Sequence, residues 1–301
     1  METWSLVLNA PDREEPLILR RRAGSSVARP TEAGQPVGLP LEARVIQAAV
    51  DTGAPAPRVV HVCDDRDGLG EAYIMRKVEG ETLGRRIVGD VRFDEVRPGL
   101  ARQCGRVLAQ IHAATLPDDV ELRVADARGE LDKYEAKYLE SEARKPVFDL
   151  AFAYLRGHAP PPLPAQLVHG DFRNGNLMID PKVGLAAVLD WELAHLGDPA
   201  EDLGWLCVNS WRFGRVERPV GGFGQYEDLM EGYVAAGGQD LSLDRLLYWQ
   251  ALGSLKWGVI CLSLHLTYAR GEPGASFERA MIGRRVSETE IDILRILEPV
   301  L

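Results

Sequence analysis

Residues 167–192 hold three side chains whose types and spacing suit phosphoryl transfer. Asp171 is followed five residues later by Asn176, and Asp190 ends a second apolar run. Phosphoryl transfer from ATP needs a carboxylate near the attacking hydroxyl and hard oxygen ligands for Mg²⁺. The kinase template takes an Asp and, five residues on, an Asn from one loop, and a second Asp from a following strand end. The spacing therefore predicts that Asp171 orients the acceptor hydroxyl, and that Asn176 and Asp190 hold Mg²⁺.

Short strands are the elements that must position these residues. Apolar runs end at Val168, Ile179 and Leu189, and each is bounded by Asp, Asn, Gly or Pro. Such bounded runs are typical of strands. The stretch is predicted to run strand, polar loop, strand, turn, strand, so that each polar candidate stands at a strand end.

Three ordered blocks resemble a known family. They are His169-Gly-Asp-x-x-x-x-Asn, Asp190-Trp-Glu and Gly197-Asp-Pro-x-x-Asp202-Leu. Together they resemble the aminoglycoside phosphotransferase and choline kinase-like family. Residues 205–298 are similar to the branch related to the kinase-like domain fused to some acyl-CoA dehydrogenases, so the resemblance covers nearly the whole chain. It implies transfer of the ATP γ-phosphate to a hydroxyl of a small molecule.

The resemblance also implies the architecture. The expected fold is α+β and protein-kinase-like, with two lobes. A small antiparallel sheet lobe would span 1–78, a larger, mainly helical lobe would span 79–301, and ATP and Mg²⁺ would bind between them. Residues 2–5 resemble the end of the loop that covers the ATP phosphates, so the first strand and the opening of that loop are expected to have no residues here. A truncated or misassigned start is the hypothesis, and the genomic DNA upstream of Met1 would test it.

A cation and an acid in the first 50 residues match further parts of the template. Arg20 stands in a predicted strand, in the phase where the kinase pattern Val-Ala-Ile-Lys places its phosphate-binding Lys. Glu42 lies in the first turn of a helix predicted over 40–53. It is the candidate ion-pair partner of Arg20, although the helix dipole alone also favours an acid there.

The adenine site is implied by the resemblance only. The strand predicted over 72–78 leaves the sheet near Met75 and Lys77. In the resembled fold this segment connects the lobes, and its backbone hydrogen-bonds adenine. Met75 and Lys77 are therefore candidate nucleotide-binding residues.

Three polar residues are predicted to support the loop without taking part in the chemistry. His169 is expected to brace the loop, because in the template the following Asp does the chemistry. The resemblance implies that Asp202 is an internal brace to the same loop. Asp198, Pro199 and Glu201 read as a complete helix start, with Asp198 as N-cap and Pro199 as the first helical residue.

The sequence indicates the residues that contact the phosphate acceptor less clearly than those of the catalytic loop. Glu192 either assists the metal or orients the loop. Trp211 and Arg212 are candidate substrate contacts, because Arg212 opens a run of three Arg in seven residues that could receive an anionic group of the acceptor. A solvated charged loop is the alternative. Aminoglycoside, choline-like, sugar-like and hydroxyacyl acceptors all remain open.

Composition and charge limit the possible partners and the expected cellular location of the protein. The 301-residue chain carries a net charge of −10, which argues against a nucleic-acid partner. No secretion signal is visible and the four Cys form no CxxC pair, so buried thiols and a cytoplasmic location are expected. The apolar stretch 246–269 contains Gln250, Lys256 and His265, which indicates a buried helix and no membrane partner. Oligomeric state is not indicated.

Two other function classes stay open. A non-catalytic, pseudokinase-like regulatory module would fit the missing loop, but the intact Asp171, Asn176 and Asp190 argue against it. A protein kinase would need an Asp-Phe-Gly and an Ala-Pro-Glu sequence, and neither occurs.

Overall fold

An antiparallel sheet forms the N-terminal lobe of the computed structural model, which describes residues 1–10, 13–22, 37–272 and 275–298. Its strands are β1 (Glu2–Ala10), β2 (Arg13–Arg21), β3 (Val59–Val62) and β4 (Ala72–Arg76). They lie in the order β1-β2-β4-β3. Successive side chains in a strand point to opposite faces, so Arg20 shares a face of β2 with Ile18, which packs against the main hydrophobic core.

Helix α1 (Leu39–Asp51) covers this sheet, and the predicted helix is confirmed. Its apolar stripe of Val45, Ile46 and Ala49 is buried, as the spacing requires. Gly53 follows the helix at φ +87°, a left-handed conformation that suits glycine after a helix C-terminus. The stripe fixes the helix rotation, and this rotation turns Glu42 toward β2.

Two short antiparallel strand pairs carry the polar residues of the central stretch. Strand β5 (Gln166–Val168) pairs with β8 (His195–Gly197), and β6 (Leu177–Asp180) pairs with β7 (Gly184–Val188). The three strands predicted between 167 and 189 are confirmed, whereas β8 was not predicted. Each candidate residue follows or precedes one of these strands.

Helices make up most of the remaining chain. They are α2 (Gly84–Gly89), α3 (Leu100–His112), α4 (Ala127–Glu140), α5 (Pro146–Gly157), α6 (Ala200–Leu206), α7 (Tyr226–Ala235), α8 (Leu243–Ala269), α9 (Phe277–Ile282) and α10 (Val286–Leu297). Helix α8 packs against α4, α5, α6 and α10. The two-lobed α+β prediction is confirmed, while the lobe boundary at residue 78 stays a prediction.

The apolar stretch 246–269 lies within α8 and is a core helix, as predicted. Gln250 and Lys256 are buried inside the protein, where Lys256 has an acidic partner. Over the described ranges, no helix combines the length and the apolar character that a membrane crossing needs. All four Cys are buried free thiols, which confirms that expectation.

Candidate active site

Three donors hold the Asp171 carboxylate in one orientation. Asn176 Nδ2 donates to Asp171 Oδ2 at 2.7 Å and to the Asp171 carbonyl oxygen at 2.9 Å. Trp205 Nε1 and Arg173 Nε donate to Oδ1 at 2.8 and 3.0 Å. The side chain stays 16% exposed. A fixed carboxylate that solvent can still reach can accept a hydrogen bond from an incoming hydroxyl.

Hydrogen bonds to Asp202 hold the loop that carries Asp171. The Asp202 carboxylate accepts the backbone N–H groups of His169 and Gly170 at 2.8 and 2.9 Å, and lies 3.2 Å from His112 Nε2. Gly170 has φ +79°, and a Cβ there would lie 2.5 Å from the Leu193 carbonyl oxygen. Only glycine fits at this position. The geometry is that of the brace expected for Asp202.

Both ring nitrogens of His169 are engaged within the protein. Nδ1 accepts the Asp171 backbone N–H at 3.2 Å, so Nε2 carries the proton and donates to the Leu189 carbonyl at 3.1 Å. Burial lowers the pKa of His169 below its ordinary value. A neutral imidazole with no free lone pair cannot act as a base. The arrangement fits the bracing role expected for His169.

Asp190 follows β7 in a left-handed conformation, φ +66°. Asp and Asn tolerate this region better than other non-Gly residues. The conformation places a 40% exposed carboxylate in the cleft, where Oδ1 lies 3.2 Å from Arg20 Nη2. Backbone outliers of this kind cluster at functional sites.

Arg20 and Glu42 form the expected ion pair. Arg20 Nη1 lies 3.2 Å from Glu42 Oε1, which also accepts the Tyr73 hydroxyl at 3.1 Å. Glu42 is fully buried, and its Oε2 has no partner among the described residues. Burial raises the pKa of Glu42 to about 7, and the charge of Arg20 opposes that rise. The pair is confirmed, while phosphate binding by Arg20 stays a prediction.

The Glu42→Gln variant should remove a pH-dependent part of the stability. The pKa of Glu42 is about 7 in the fold against an ordinary value of 4.5, so between these pH values the folded state keeps a proton that the unfolded state has released. The unfolding free energy of the wild type should therefore fall relative to that of Glu42→Gln by roughly 3 kcal/mol from pH 4.5 to 7, and then level off.

Urea unfolding of both proteins at half-unit pH steps measures this difference. The exposed Glu121 provides a matched control, because Glu121→Gln should follow the wild type across the range. A constant difference between wild type and Glu42→Gln would show that Glu42 is ionised in the fold throughout.

A cavity of about 500 Å³ is lined by five of the candidates, while Asp171 lies beside it. The five are Arg20 and Met75 from the sheet lobe, and Asn176, Asp190 and Glu192 from the segments next to β6 and β7. Burial and the neighbouring Asp190 raise the pKa of Glu192. The cavity lies between the four-stranded sheet and the two short strand pairs, where the nucleotide was expected.

The oxygen donors in this cavity fit Mg²⁺. The Asn176 amide nitrogen is committed to Asp171, which leaves Asn176 Oδ1 without a hydrogen bond among the described residues. Asp190 Oδ2 is likewise unpaired there, since Arg20 takes Oδ1. Carboxylate and amide oxygens are the hard ligands that Mg²⁺ prefers, usually with waters and nucleotide phosphates completing the shell.

Lys77 is not brought to the cavity. Its backbone N–H donates to the Pro16 carbonyl at 3.0 Å, and its ammonium group lies 2.9 Å from Glu79. The amide is thus not free for a base. Of the two residues proposed near the adenine site, the cavity includes Met75 alone.

Arg212 requires a correction. It is buried, and its guanidinium donates to the carbonyl oxygens of Cys207 at 2.7 Å and Val216 at 3.3 Å. These bonds close the segment that follows α6, so the side chain is not presented to a substrate. Trp211 is buried as well, with its ring 5.3 Å from that of Trp205.

The helix start at Asp198 also differs in detail. Helix α6 begins at Ala200, one residue later than expected, although Asp198 Oδ1 does accept the Ala200 N–H at 2.9 Å. Glu201 does not complete a capping box, because its carboxylate is bound to His195 at 3.1 Å and Lys256 at 3.4 Å. Asp198 also forms an ion pair with Arg245, and these contacts fit the structural role expected for it, which stays a prediction.

Sequence reasoning missed two residues that touch Asp171. Trp205 lies three positions after Asp202, and this spacing puts both side chains on one face of α6. That spacing could have indicated Trp205 once Asp202 was placed under the loop. Arg173 offered no such signal, because its contact depends on how the loop turns back toward Asp171.

Comparisons with known proteins find a matching family model and a similar curated protein. The model of a family described as "Phosphotransferase enzyme family" matches residues 7–237. The chain is 26% identical over 210 residues to mouse acyl-CoA dehydrogenase family member 10, which corresponds to 64% of this chain but 18% of that protein. The chain therefore spans less than a fifth of that curated relative.

Solved structures share the fold. A Ralstonia eutropha protein provisionally described as an aminoglycoside phosphotransferase superposes with a TM-score of 0.74 at 21% identity, over 99% of this chain and 93% of the other. Spectinomycin phosphotransferase, crystallised with ADP and spectinomycin, gives a TM-score of 0.60 at 12% identity, over 97% and 90% of the two chains.

Proposed function

Because this chain belongs to the phosphotransferase enzyme family, we propose that it transfers the γ-phosphate of ATP to a hydroxyl of a small molecule in a Mg²⁺-dependent reaction. The family resemblance derived from the ordered motifs is thereby confirmed, together with the kinase-like fold. The nucleotide, the metal and the acceptor belong to the proposal.

One observation carries the proposal. The Asp171 carboxylate is fixed by donors on both oxygens and lies beside the residues that line the cavity, with Asn176 shared between the two. A base next to a cleft that offers oxygen ligands and a cation is the arrangement that phosphoryl transfer requires.

Each residue of the site has its own role in the proposed phosphoryl transfer. Asp171 accepts a hydrogen bond from the acceptor hydroxyl and takes its proton as the new bond forms between the acceptor oxygen and the γ-phosphorus. The bond from the γ-phosphorus to the bridging oxygen of ADP breaks, and ADP leaves. Arg20, held by Glu42, contacts the nucleotide phosphates. Asn176 and Asp190 would hold Mg²⁺, which neutralises phosphate charge when bound.

Catalysis then rests mainly on positioning and on fixed charge. The Asp202 brace and the His169 bonds hold the Asp171 loop, so that little reorganisation accompanies the reaction. The acceptor is proposed only as a small hydroxylated molecule. Spectinomycin is the ligand of one neighbour, and the curated relative bears an acyl-CoA dehydrogenase name.

Thermal unfolding with ATP, with and without Mg²⁺, tests the nucleotide half of the proposal. At a ligand concentration 100-fold above Kd the midpoint should rise by about 5 °C, and the rise should need Mg²⁺. A panel of hydroxylated acceptors is then screened for ADP formation. A folded protein that gives no Mg²⁺-dependent shift, and forms no ADP with any acceptor, would contradict the proposal.

A further inference from the structure

The guanidinium group of Arg173 lies beside Asp171 with most of its donors unused. Nε donates to Asp171 Oδ1 at 3.0 Å. Nη1 and Nη2 make no hydrogen bond to the part of the chain that the structure describes, and the side chain is 26% exposed. Up to four N–H donors of a permanent cation are therefore left without a partner among the described residues, next to the candidate base.

The guanidinium group of Arg173 lies over an aromatic ring. Arg173 Cζ lies 4.6 Å from the centre of the Trp211 ring. Trp211 is itself buried between Trp205 and Trp257, with ring centres 5.3 and 5.0 Å away. Attraction between a guanidinium and the face of an indole restrains the cation and leaves its N–H groups able to donate. The contact with Trp211 therefore favours a position of the Arg173 guanidinium beside Asp171.

The free edge reaches the rim of the nucleotide cavity. A Cβ built on Gly175 would lie 2.6 Å from Arg173 Nη1, and Gly175 is part of the cavity lining. The next residue, Asn176, binds Asp171. Arg173 Nη1 thus lies next to the space in which the reacting groups must meet.

The contacts of Arg173 within the protein leave two of its nitrogens able to bind an anion. The nearest carboxylate, Asp171, accepts only Nε and already receives hydrogen bonds from Trp205 and Asn176. A planar guanidinium with two adjacent free nitrogens matches the two oxygens of a carboxylate or phosphate, and a charge-assisted pair of this kind is stronger than a neutral hydrogen bond.

We propose that Arg173 Nη1 and Nη2 form an oxyanion-binding site beside Asp171, which takes the oxygens of a carboxylate or phosphate group at the reaction centre. The inference rests on the proposed function for the identity of that centre. The oxyanion has two possible sources, an anionic group of the acceptor or the phosphoryl group in transfer. In either case Arg173 contacts a reacting molecule directly.

Inorganic phosphate, followed by tryptophan fluorescence with MgADP present, is the probe. Of the six Trp in the chain, Trp211 lies against the guanidinium, so a change in its emission on binding adds to a background from the other five. We expect saturable binding to the wild type and at least a tenfold weaker Kd for Arg173→Met. Arg173→Lys should fall between the two, because lysine keeps the charge and loses the fork. Arg215→Met removes an exposed cation from a nearby loop and should bind phosphate like the wild type.

A second titration separates the two sources. With Mg²⁺ and the non-hydrolysable β,γ-imido ATP in place of MgADP, the γ-phosphate position is filled. If this abolishes phosphate binding, the site serves the transferring group; if phosphate still binds and still depends on Arg173, the site serves an anionic acceptor. Absence of binding to the wild type, or equal binding by folded Arg173→Met, overturns the proposal.

Failure of the Arg173 proposal can be distinguished from failure of the proposed kinase function. If neither nucleotide shifts the unfolding midpoint of the wild type, the kinase proposal fails. Titration of phosphate into the nucleotide-free protein still decides whether Arg173 binds an oxyanion. Unfolding midpoints of both Arg173 variants show whether a lost signal reflects lost structure.

Discussion

The Asp171→Ala variant is expected to lose turnover by a factor of roughly 10² to 10⁴ while it binds MgATP almost as tightly as the wild type. The carboxylate accepts three donors and shares Asn176 with the cavity, yet it does not itself line the cavity. Its removal takes away the group that receives the hydroxyl proton and leaves the cleft residues in place.

Kinetics and binding measured on one preparation check this expectation. ADP formation gives kcat, and thermal unfolding with MgATP gives nucleotide binding. Removal of the acceptor for Trp205 and Arg173 should also lower the unfolding free energy, by about 1–3 kcal/mol. Asp118→Ala, at an exposed carboxylate, is the matched control and should keep full activity. Turnover by Asp171→Ala within tenfold of the wild type would show that another group receives the proton.

Spacing alone predicted the part of the site that comes from continuous loops. Asp171 and Asn176 share one loop, and the short strands β6 and β7 separate Asn176 from Asp190. The number of intervening residues therefore fixes which of these side chains can meet. Strand alternation similarly placed Arg20 toward the helix that carries Glu42. In both cases the positions of the side chains depend on the spacing of residues within one short segment, and this spacing can be read from the sequence.

Contacts between distant segments were not predictable in this way. Trp205 reaches Asp171 only because α6 packs beneath the loop that carries Asp171, and Arg173 meets Trp211 only because the segment after α6 returns to that loop. The position of Lys77 is likewise set by a distant partner, since its amide donates to Pro16 on a neighbouring strand. Nothing in the local sequence of these residues reports the tertiary partner.

Runs of charged residues were the least informative sequence feature for finding residues of the site. Arg212, Arg215 and Arg218 looked alike in sequence, but the structure buries Arg212 against carbonyl oxygens and leaves the other two exposed. A guanidinium near the end of a helix can satisfy carbonyl groups that would otherwise lack donors. The cation that stands beside Asp171 is Arg173, which lies outside that run.

The Asp190→Asn variant is expected to uncouple nucleotide binding from Mg²⁺. Asn has the shape of Asp and tolerates the left-handed conformation at φ +66°, so the backbone should be retained. The substitution replaces a charged oxygen ligand by a neutral amide. It reduces the 3.2 Å ion pair with Arg20 Nη2 to a hydrogen bond that the amide oxygen can still accept. We expect kcat to fall by about 10² or more, because charge neutralisation at the phosphates supplies much of the catalysis.

The metal dependence of binding separates this effect from misfolding. In the wild type Mg²⁺ should raise the ATP-dependent unfolding midpoint, and in Asp190→Asn that increment should shrink to less than half while the midpoint without ligand stays nearly unchanged. Asp190→Ala should show the same loss of metal dependence together with lower stability, by about 1–2 kcal/mol, because alanine is strained at this φ. An undiminished Mg²⁺ increment in Asp190→Asn would place the metal on other ligands and would leave Asp190 as the partner of Arg20 alone.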